Sequence, residues 1–500
     1  MDDKTFMTRR RFTATGAALG AGALATPALA RLATEQVEID LRKDVGPLTH
    51  VWSRSVGSDR AAITLRESWR KDLDRAKAEM GVERVRFHGI FADELGSGTN
   101  FQNVNAVYDG LLERGVQPFV ELGFMPKRFA SGTKEFGFYR ANVSPPKSLD
   151  AWAEYISKFV RHLVARYGAA EVRQWYFEVW NEPNLQDWFW SGTQEEYFAL
   201  YKATAKAVKD VDPLIKVGGP ATSAVQWLPQ FLGYCAQNNA PVDFVSTHIY
   251  PGDDQAVVFG QANKFKQHDV VFQAVALARA QIDATPFKGA ELWLDEWSSD
   301  SPAMIAHTIM NSLPYCQGMS QWQLSGTYEE NLVEAWIFKK GQNGWGILAK
   351  GNIAKPEFNT YKLLHRLGDR RLAAKGPALA STKGKAVSAL VWNLADVQQA
   401  PGIPGASSER RVVGEPKAIS VRFLGAKKGQ RVRVSYVDQE RGSPYPEWRS
   451  LGSPQYPTRE QMALIKKAAE LAPPEVHALD TSGQLTLQLP AEGVALIELA

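Results

Sequence analysis

Two glutamates, Glu182 and Glu296, carry the strongest chemical signal in the chain. Glu182 sits in Trp180-Asn181-Glu182-Pro183-Asn184, and Glu296 in Trp293-Leu294-Asp295-Glu296-Trp297. Each follows a run of apolar and aromatic residues, the pattern of a buried strand that has just emerged. Two carboxylates facing one cavity divide into two roles when their surroundings push their pKa values apart. One stays ionised and attacks. The other holds a proton and delivers it to a leaving oxygen, which is the chemistry of glycoside hydrolysis. A lone glutamate after a strand is more often a surface charge. The neighbours of Glu182 change that balance, because Pro183 fixes the turn and Asn181 sets an amide beside the carboxylate, within reach of a sugar 2-hydroxyl.

Such a pair needs a scaffold that brings distant strand ends together. From about residue 48 to 366 short β-like runs alternate with amphipathic helical stretches. The strand patterns are Leu48–Trp52, Val82–His88, Gln117–Leu122, Trp175–Trp180, Lys216–Gly219, Phe244–His248, Glu291–Asp295 and Gly318–Leu324. Helical patterns lie between them, from Arg70–Met80 to Pro356–Arg366. Ser148 is placed as an N-cap, and Gly81, Gly115 and Gly168 as C-caps. Eight β-then-α units are the count of a (β/α)8 TIM barrel. An open doubly wound sheet usually carries a Gly-rich phosphate loop, and neither G-x-G-x-x-G nor a Walker sequence occurs. After about 370 strand patterns follow one another between Gly/Pro-rich loops: Ala386–Asn393, Ala418–Leu424, Arg431–Asp438, Leu485–Leu489 and Val494–Leu499. This texture predicts an accessory antiparallel β-sandwich domain over 369–500 with one helix inserted at Arg459–Leu471. Val37–Leu41 joins it, so segment 31–45 belongs with the sandwich and 46–368 with the barrel.

In a barrel of this kind the active site lies at the carboxyl ends of the strands. Those ends read Arg86-Phe87-His88-Gly89, Glu121-Leu122-Gly123-Phe124, the Glu182 motif, Thr247-His248-Ile249-Tyr250, the Glu296 motif and Gln321-Trp322-Gln323-Leu324. The set is rich in carboxylate, imidazole and indole. It has no His/Cys cluster at metal-ligand spacing and no serine nucleophile elbow, so neither metal nor cofactor is expected. Glu121 is taken as a barrel-rim ion-pair residue. His88 and Phe124 are candidates for lining the site. Trp188-Phe189-Trp190 is either a hydrophobic lid or a wall for the leaving group.

Composition narrows the classes. The chain has 500 residues, 44% hydrophobic and 22% charged, which suits two or three globular domains. Lys+Arg 58 against Asp+Glu 54 gives +4, and from Arg31 onward only +2 remains. That offers no electrostatic case for nucleic acid or anionic lipid. Past the N-terminus no apolar run reaches the ~18–20 residues of a membrane span. Fifteen Trp is heavy, and indole faces stack on sugars as well as filling cores. Thr8-Arg9-Arg10-Arg11-Phe12, the apolar stretch Ala14–Ala25 and Ala28-Leu29-Ala30 form the three parts of a twin-arginine export signal over 1–30. Periplasmic or extracellular delivery is expected. Cys235 and Cys316 are expected as two buried free thiols.

At the Glu182 and Glu296 motifs the chain resembles the retaining (β/α)8 glycosidases. Within that clan it is similar to glycoside hydrolase family 39, whose members are chiefly β-xylosidases and α-L-iduronidases. The likeness is carried further by Arg86-Phe87-His88-Gly89, Gly218-Gly219-Pro220, Val245–Pro251, and Trp322 followed by Glu330. The resemblance implies Glu182 as general acid/base and Glu296 as nucleophile. It implies Asn181, His248 and Tyr250 around the reacting sugar, Trp322 as an indole platform beneath it and Glu330 bonding its far hydroxyls. Arg86 is implied near the nucleophile, keeping it ionised. One departure is Gly326-Thr327-Tyr328-Glu329-Glu330, where family members often carry Asp-x-Phe-Glu-Glu. The expectation is a retaining, exo-acting β-D-xylosidase acting on xylo-oligosaccharides. Alternatives are an α-L-iduronidase, an arabinofuranosidase or an endo-glycanase of the same clan, and a non-catalytic carbohydrate-binding barrel.

Overall fold

The computed structural model describes residues 32–186, 188–326, 346–398 and 411–499. The export-signal segment and Glu330 therefore lie outside the described residues. Eight parallel strands close the barrel: β1 (Ser55–Arg60), β2 (Arg84–His88), β3 (Gln117–Glu121), β4 (Tyr176–Glu178), β5 (Lys216–Thr222), β6 (Phe244–His248), β7 (Glu291–Trp297) and β8 (Gly318–Gln321). Around the barrel they follow chain order, β8 pairing with β1. The principal outer helices are α1 (Glu67–Met80), α2 (Gln102–Leu112), α3 (Leu149–Tyr167), α4 (Gln194–Val211), α5 (Leu228–Gln237), α6 (Val270–Asp283), α7 (Pro302–Ser312) and α8 (Pro356–His365). Ser148, Gly81 and Gly168 cap helices as read, whereas α2 ends at Leu112 with Glu113 as its C-cap, two residues before Gly115. The Ser148 hydroxyl accepts the Ala151 amide at 3.3 Å, and Gly81 closes α1 in the left-handed conformation at φ 70°.

The first strand is not where the apolar pattern puts it. Leu48–Trp52 is irregular, and β1 begins at Ser55. Every residue of β1 is buried, yet Ser55, Ser58, Asp59 and Arg60 are polar. Their partners are internal, as in the Trp69 indole N–H donating to Ser58 Oγ at 2.9 Å. A strand satisfied in this way carries no apolar alternation to read. Leu48, Val51 and Trp52 are buried by packing without joining the barrel sheet.

Strand periodicity builds the interior in layers. Phe119, Tyr176, Phe244 and Trp293, from β3, β4, β6 and β7, form an aromatic floor with ring centres 4.6–5.6 Å apart. Two residues further along, three of the same strands present Glu121, Glu178 and Asp295, all buried. The floor excludes water below, and the next layer carries charge.

The accessory domain is one nine-stranded sheet. Ala33–Pro47 lies within it, antiparallel to Arg370–Lys375 and parallel to Lys417–Leu424. Apolar residues from both wings, Ile419 and Leu487 on one and Val432 and Val434 on the other, share one buried cluster, so the sheet folds over itself as a sandwich. The predicted inserted helix spans Arg459–Ala468, and a second, short helix, Tyr445–Ser450, precedes it. Three strands were not legible as such: Arg370–Lys375, Ala378–Lys383 and the edge strand Glu475–Ala478. Leu390, Trp392, Val437 and Leu496 of the sheet belong to the barrel's core cluster, which joins the two domains through a common core. Cys235 and Cys316 are free and buried, and burial pushes both thiols up to about 12. No helix among the described residues is long and apolar enough to cross a membrane.

Candidate active site

The upper barrel is organised around Arg86, whose guanidinium is wholly buried on β2. Nε donates to Glu178 Oε2 at 2.7 Å, and Nη2 to Asn181 Oδ1 at 2.9 Å. Nη1 donates to Glu296 Oε2 at 3.1 Å. Glu121 Oε2 and Asp295 Oδ2 stand 3.1 and 3.0 Å away. Desolvating a guanidinium is tolerable only with such a complement. Burial alone would lower its pKa, but Glu178, Asp295, Glu121 and Glu296 hold it well above the usual arginine value. Arg86 therefore fixes the Glu296 carboxylate and the Asn181 amide in one act.

Glu182 and Glu296 meet at the barrel mouth. One oxygen of each and a ring nitrogen of His248 all lie within 4.8 Å of one another. Their partners differ. Glu296 accepts Arg86 on Oε2 and the Tyr250 hydroxyl on Oε1 at 2.5 Å. Glu182 Oε1 pairs with His248 Nδ1 at 3.0 Å, and the same nitrogen is 3.6 Å from Glu296 Oε2. His248 Nε2 faces Asp295 Oδ2 at 3.6 Å. Burial would lower the imidazole, but Glu296, Asp295 and Glu182 outweigh it and hold His248 well above the usual histidine range. The Glu182–His248–Glu296 spacing would admit a small cation, and Arg86 already pairs with Glu296 there.

The local backbone explains how each group arrives. Trp180 and Glu182 adopt positive φ, 76° and 42°, so the turn after β4 is tightly wound. It is pinned by the Glu182 amide donating to Ala221 O at 2.8 Å and by Asn184, whose Oδ1 accepts the Ser223 amide at 2.8 Å. On β7 the pairing register shifts between Leu294 and Glu296. That irregularity breaks the period of two and lets consecutive residues, Asp295 and Glu296, both reach the Arg86 cluster.

The residues singled out from sequence fall into three groups. Arg86, Asn181, Glu182, His248, Tyr250 and Glu296 form one bonded network. His88 joins it through Glu121, its Nδ1 2.7 Å from Oε2, and its ring lies 4.7 Å from Trp322. Phe124 has no accessible surface and packs behind His88 and Trp180, at 6.0 and 5.4 Å between ring centres. Glu121 is a correction. It is an ion-pair residue, but wholly buried in the Arg86 cluster rather than on the rim. Glu178 and Asp295 were missed. Burial holds Glu178 well above the carboxylate range, and Asp295 lies at about 2 because Glu178, His248 and Arg86 override its burial. The signal available was parity, since Glu178 and Asp295 stand two positions beyond Tyr176 and Trp293.

Two expectations test this geometry. A Cβ on Gly57 would meet Trp322 Cε3 at 2.7 Å and Gln321 O at 3.1 Å, so Gly57→Ala must displace the indole. Overpacking of this kind costs about 1–3 kcal/mol. A lowered Tm together with a raised KM is expected from thermal melts and kinetics, and an unchanged KM would separate Trp322 from the ligand. Asp253, which accepts the Tyr250 amide at 2.8 Å, is pushed up to about 7, chiefly by burial, with Glu182 and Glu296 adding to it against the Tyr250 amide and His248. Its folded pKa exceeds the unfolded one, so its contribution to stability is full below about 4 and is lost as pH rises through about 7. Asp253→Asn should reduce the fall in Tm between pH 5 and pH 8, removing on the order of 2–4 kcal/mol of pH dependence. An unaltered slope would show that Asp253 does not titrate in this window.

Comparison with known proteins agrees with this architecture. The family model described as "Glycosyl hydrolases family 39" matches residues 35–486. A β-xylosidase of Caldicellulosiruptor saccharolyticus is 34% identical over 484 residues, covering 91% of this chain and 96% of that protein. A β-xylosidase of Geobacillus stearothermophilus is 30% identical over 480 residues, covering 90% and 92%. The structure of a family 39 β-xylosidase from Caulobacter crescentus superposes with a TM-score of 0.78 at 32% identity, over 93% of this chain and 99% of that one.

Proposed function

The chain belongs to glycosyl hydrolases family 39 and is a glycosidase, and from that premise we propose that it is a retaining, exo-acting β-D-xylosidase that releases terminal xylose from xylo-oligosaccharides. The observation that carries the reading is the carboxylate pair. One carboxylate oxygen of Glu182 lies within 4.8 Å of one of Glu296, a close approach that supports the ~5–5.5 Å carboxyl separation of retaining enzymes over the ~6.5–9.5 Å of inverting ones.

The unlike partners support the roles. Glu296 accepts one hydrogen bond on each oxygen, from Arg86 and Tyr250, so its orientation is fixed and its charge is faced by a guanidinium. It attacks the anomeric carbon as the glycosidic C–O bond breaks. Protonated Glu182 passes its proton to the departing oxygen, leaving a covalent xylosyl-enzyme on Glu296 and a carboxylate on Glu182. That carboxylate then takes a proton from water, whose oxygen displaces Glu296 and regenerates both groups. The Asn181 amide oxygen is engaged by Arg86, so its N–H donors are turned to the substrate, suited to the sugar 2-hydroxyl. His248 Nδ1 stands between the two carboxylates, 3.0 Å from Glu182 Oε1 and 3.6 Å from Glu296 Oε2. Trp322, beside His88, supplies an apolar face for the sugar ring.

Xylose as the released sugar is supported by the two relatives that are β-xylosidases. Rates on nitrophenyl β-D-xyloside, α-L-arabinofuranoside, β-D-glucoside and methylumbelliferyl α-L-iduronide test it. The xyloside is expected to turn over fastest, and a preference for any other sugar would replace the reading. The Arg9-Arg10 segment supports export, and the product should appear in the periplasmic or extracellular fraction.

A further inference from the structure

The loops after β3 and β4 carry an aromatic surface that the steps above do not use. Among the described residues only three aromatic side chains are exposed: Phe138, Trp188 and Tyr456. Phe138 and Trp188 lie on the loops after β3 and β4, at the barrel mouth. Trp188 hangs from the Glu182 turn, since the Leu185 amide donates to Glu182 O at 2.9 Å and the Trp188 amide to Leu185 O at 3.2 Å. Its neighbours in sequence are structural. Trp190 is buried with its ring edge-on to Trp180 at 5.1 Å, and Phe189 is nearly buried. Trp188 remains 50% exposed.

A row of rings runs from the reacting centre to this indole. Trp322 lies 4.7 Å from His88, His88 6.1 Å from Phe189, Phe189 4.3 Å from Phe136 and Phe136 6.3 Å from Trp188. The loop bearing the last ring is held at several points. The Trp180 indole donates to Phe189 O at 2.7 Å, and the Ser191 amide to Val143 O at 3.0 Å. Phe136 itself sits in a short hairpin, Glu135–Phe136 against Ala141–Asn142. An indole kept in water on a fixed turn loses the burial that its area would otherwise give. The C–H face of a pyranose would supply that cover.

We propose that Trp188, backed by Phe136, is the stacking platform for the pyranose ring on the leaving-group side of the scissile bond. The proposal rests on the assignment of Glu182 as acid/base, because the group that protonates the leaving oxygen stands on that side and Trp188 extends from the same turn. The ligand class is a β-linked oligosaccharide of at least two pyranose units.

The test compares two substrates that share the glycosyl half. Xylobiose presents a leaving-group ring, and β-xylosyl fluoride presents none. With Trp188→Ala, kcat/KM on xylobiose should fall about tenfold while that on the fluoride stays within about twofold, the size expected of one ring stack. Trp188→Phe should retain most of the xylobiose activity and shows that the effect follows the aromatic face. Equal losses on both substrates, or no loss on xylobiose, overturn the proposal while leaving the xylosidase assignment standing. Wild-type protein that cleaves the fluoride but not xylobiose also overturns it. Wild-type protein that cleaves neither removes the β-xylosidase assignment and the platform together.

Discussion

Glu296→Ala should abolish turnover of every glycoside the wild-type protein cleaves, with kcat reduced about 10⁴-fold or more. The size follows from its position. Arg86 and Tyr250 each bind one of its oxygens, and no other carboxylate in the cluster is free to replace it. Glu178 is bonded to Arg86, and Glu121 to Arg86 and His88. The loss should be independent of leaving group, because no bond to carbon forms without the nucleophile. Steady-state rates on xylobiose and on dinitrophenyl β-xyloside, with a circular dichroism spectrum to confirm folding, check it. Substantial turnover of either substrate by the folded variant would transfer the nucleophile's role elsewhere.

Glu182→Ala should behave differently, and the difference is what assigns its role. General acid–base assistance contributes about 10²–10⁴-fold, and its removal should cost that much on xylobiose, whose alkoxide leaves poorly without a proton. Dinitrophenyl xyloside needs little protonation, so its first step should survive and the xylosyl-enzyme should accumulate as a burst. Added azide, a small anion that attacks without a base, should restore turnover on the activated substrate and yield xylosyl azide. Equal losses on both substrates with no azide effect would remove Glu182 from the acid/base role. His248 sharpens the expectation, since the same mutation leaves its Nδ1 with Glu296 as its carboxylate neighbour.

Much of this was legible in the sequence because barrel strands end where their apolar runs end. Arg86, Glu182, His248 and Glu296 all stand at such ends, and the structure joins them in one network. What escaped had physical reasons. β1 is polar and buried, so it lacks the alternation that marks a strand, whereas Leu48–Trp52 is apolar for reasons of packing. Glu178 closes a strand of three residues that the sequence pattern marks as Trp175–Trp180, and only its parity with Tyr176 discloses that it points inward. Asp295 and Glu296 face the same cluster because of a register shift, which sequence periodicity forbids. Glu121 reads as a rim charge until the guanidinium that buries it is known. The Arg370–Lys375 strand carries mostly charged and small residues, and its pairing with Ala33–Pro47 is set by chain ends far apart in sequence.

The central claim is that Glu296 becomes covalently bonded to the sugar while Glu182 moves protons. Incubation with 2-deoxy-2-fluoro-β-xylosyl fluoride, which enters the first step and stalls before the second, followed by proteolysis and mass spectrometry, tests it directly. The account predicts one fluoroxylosyl group on the peptide containing Trp293-Leu294-Asp295-Glu296-Trp297, at Glu296. Label on Glu182, or time-dependent hydrolysis with inversion and no adduct at all, would contradict it.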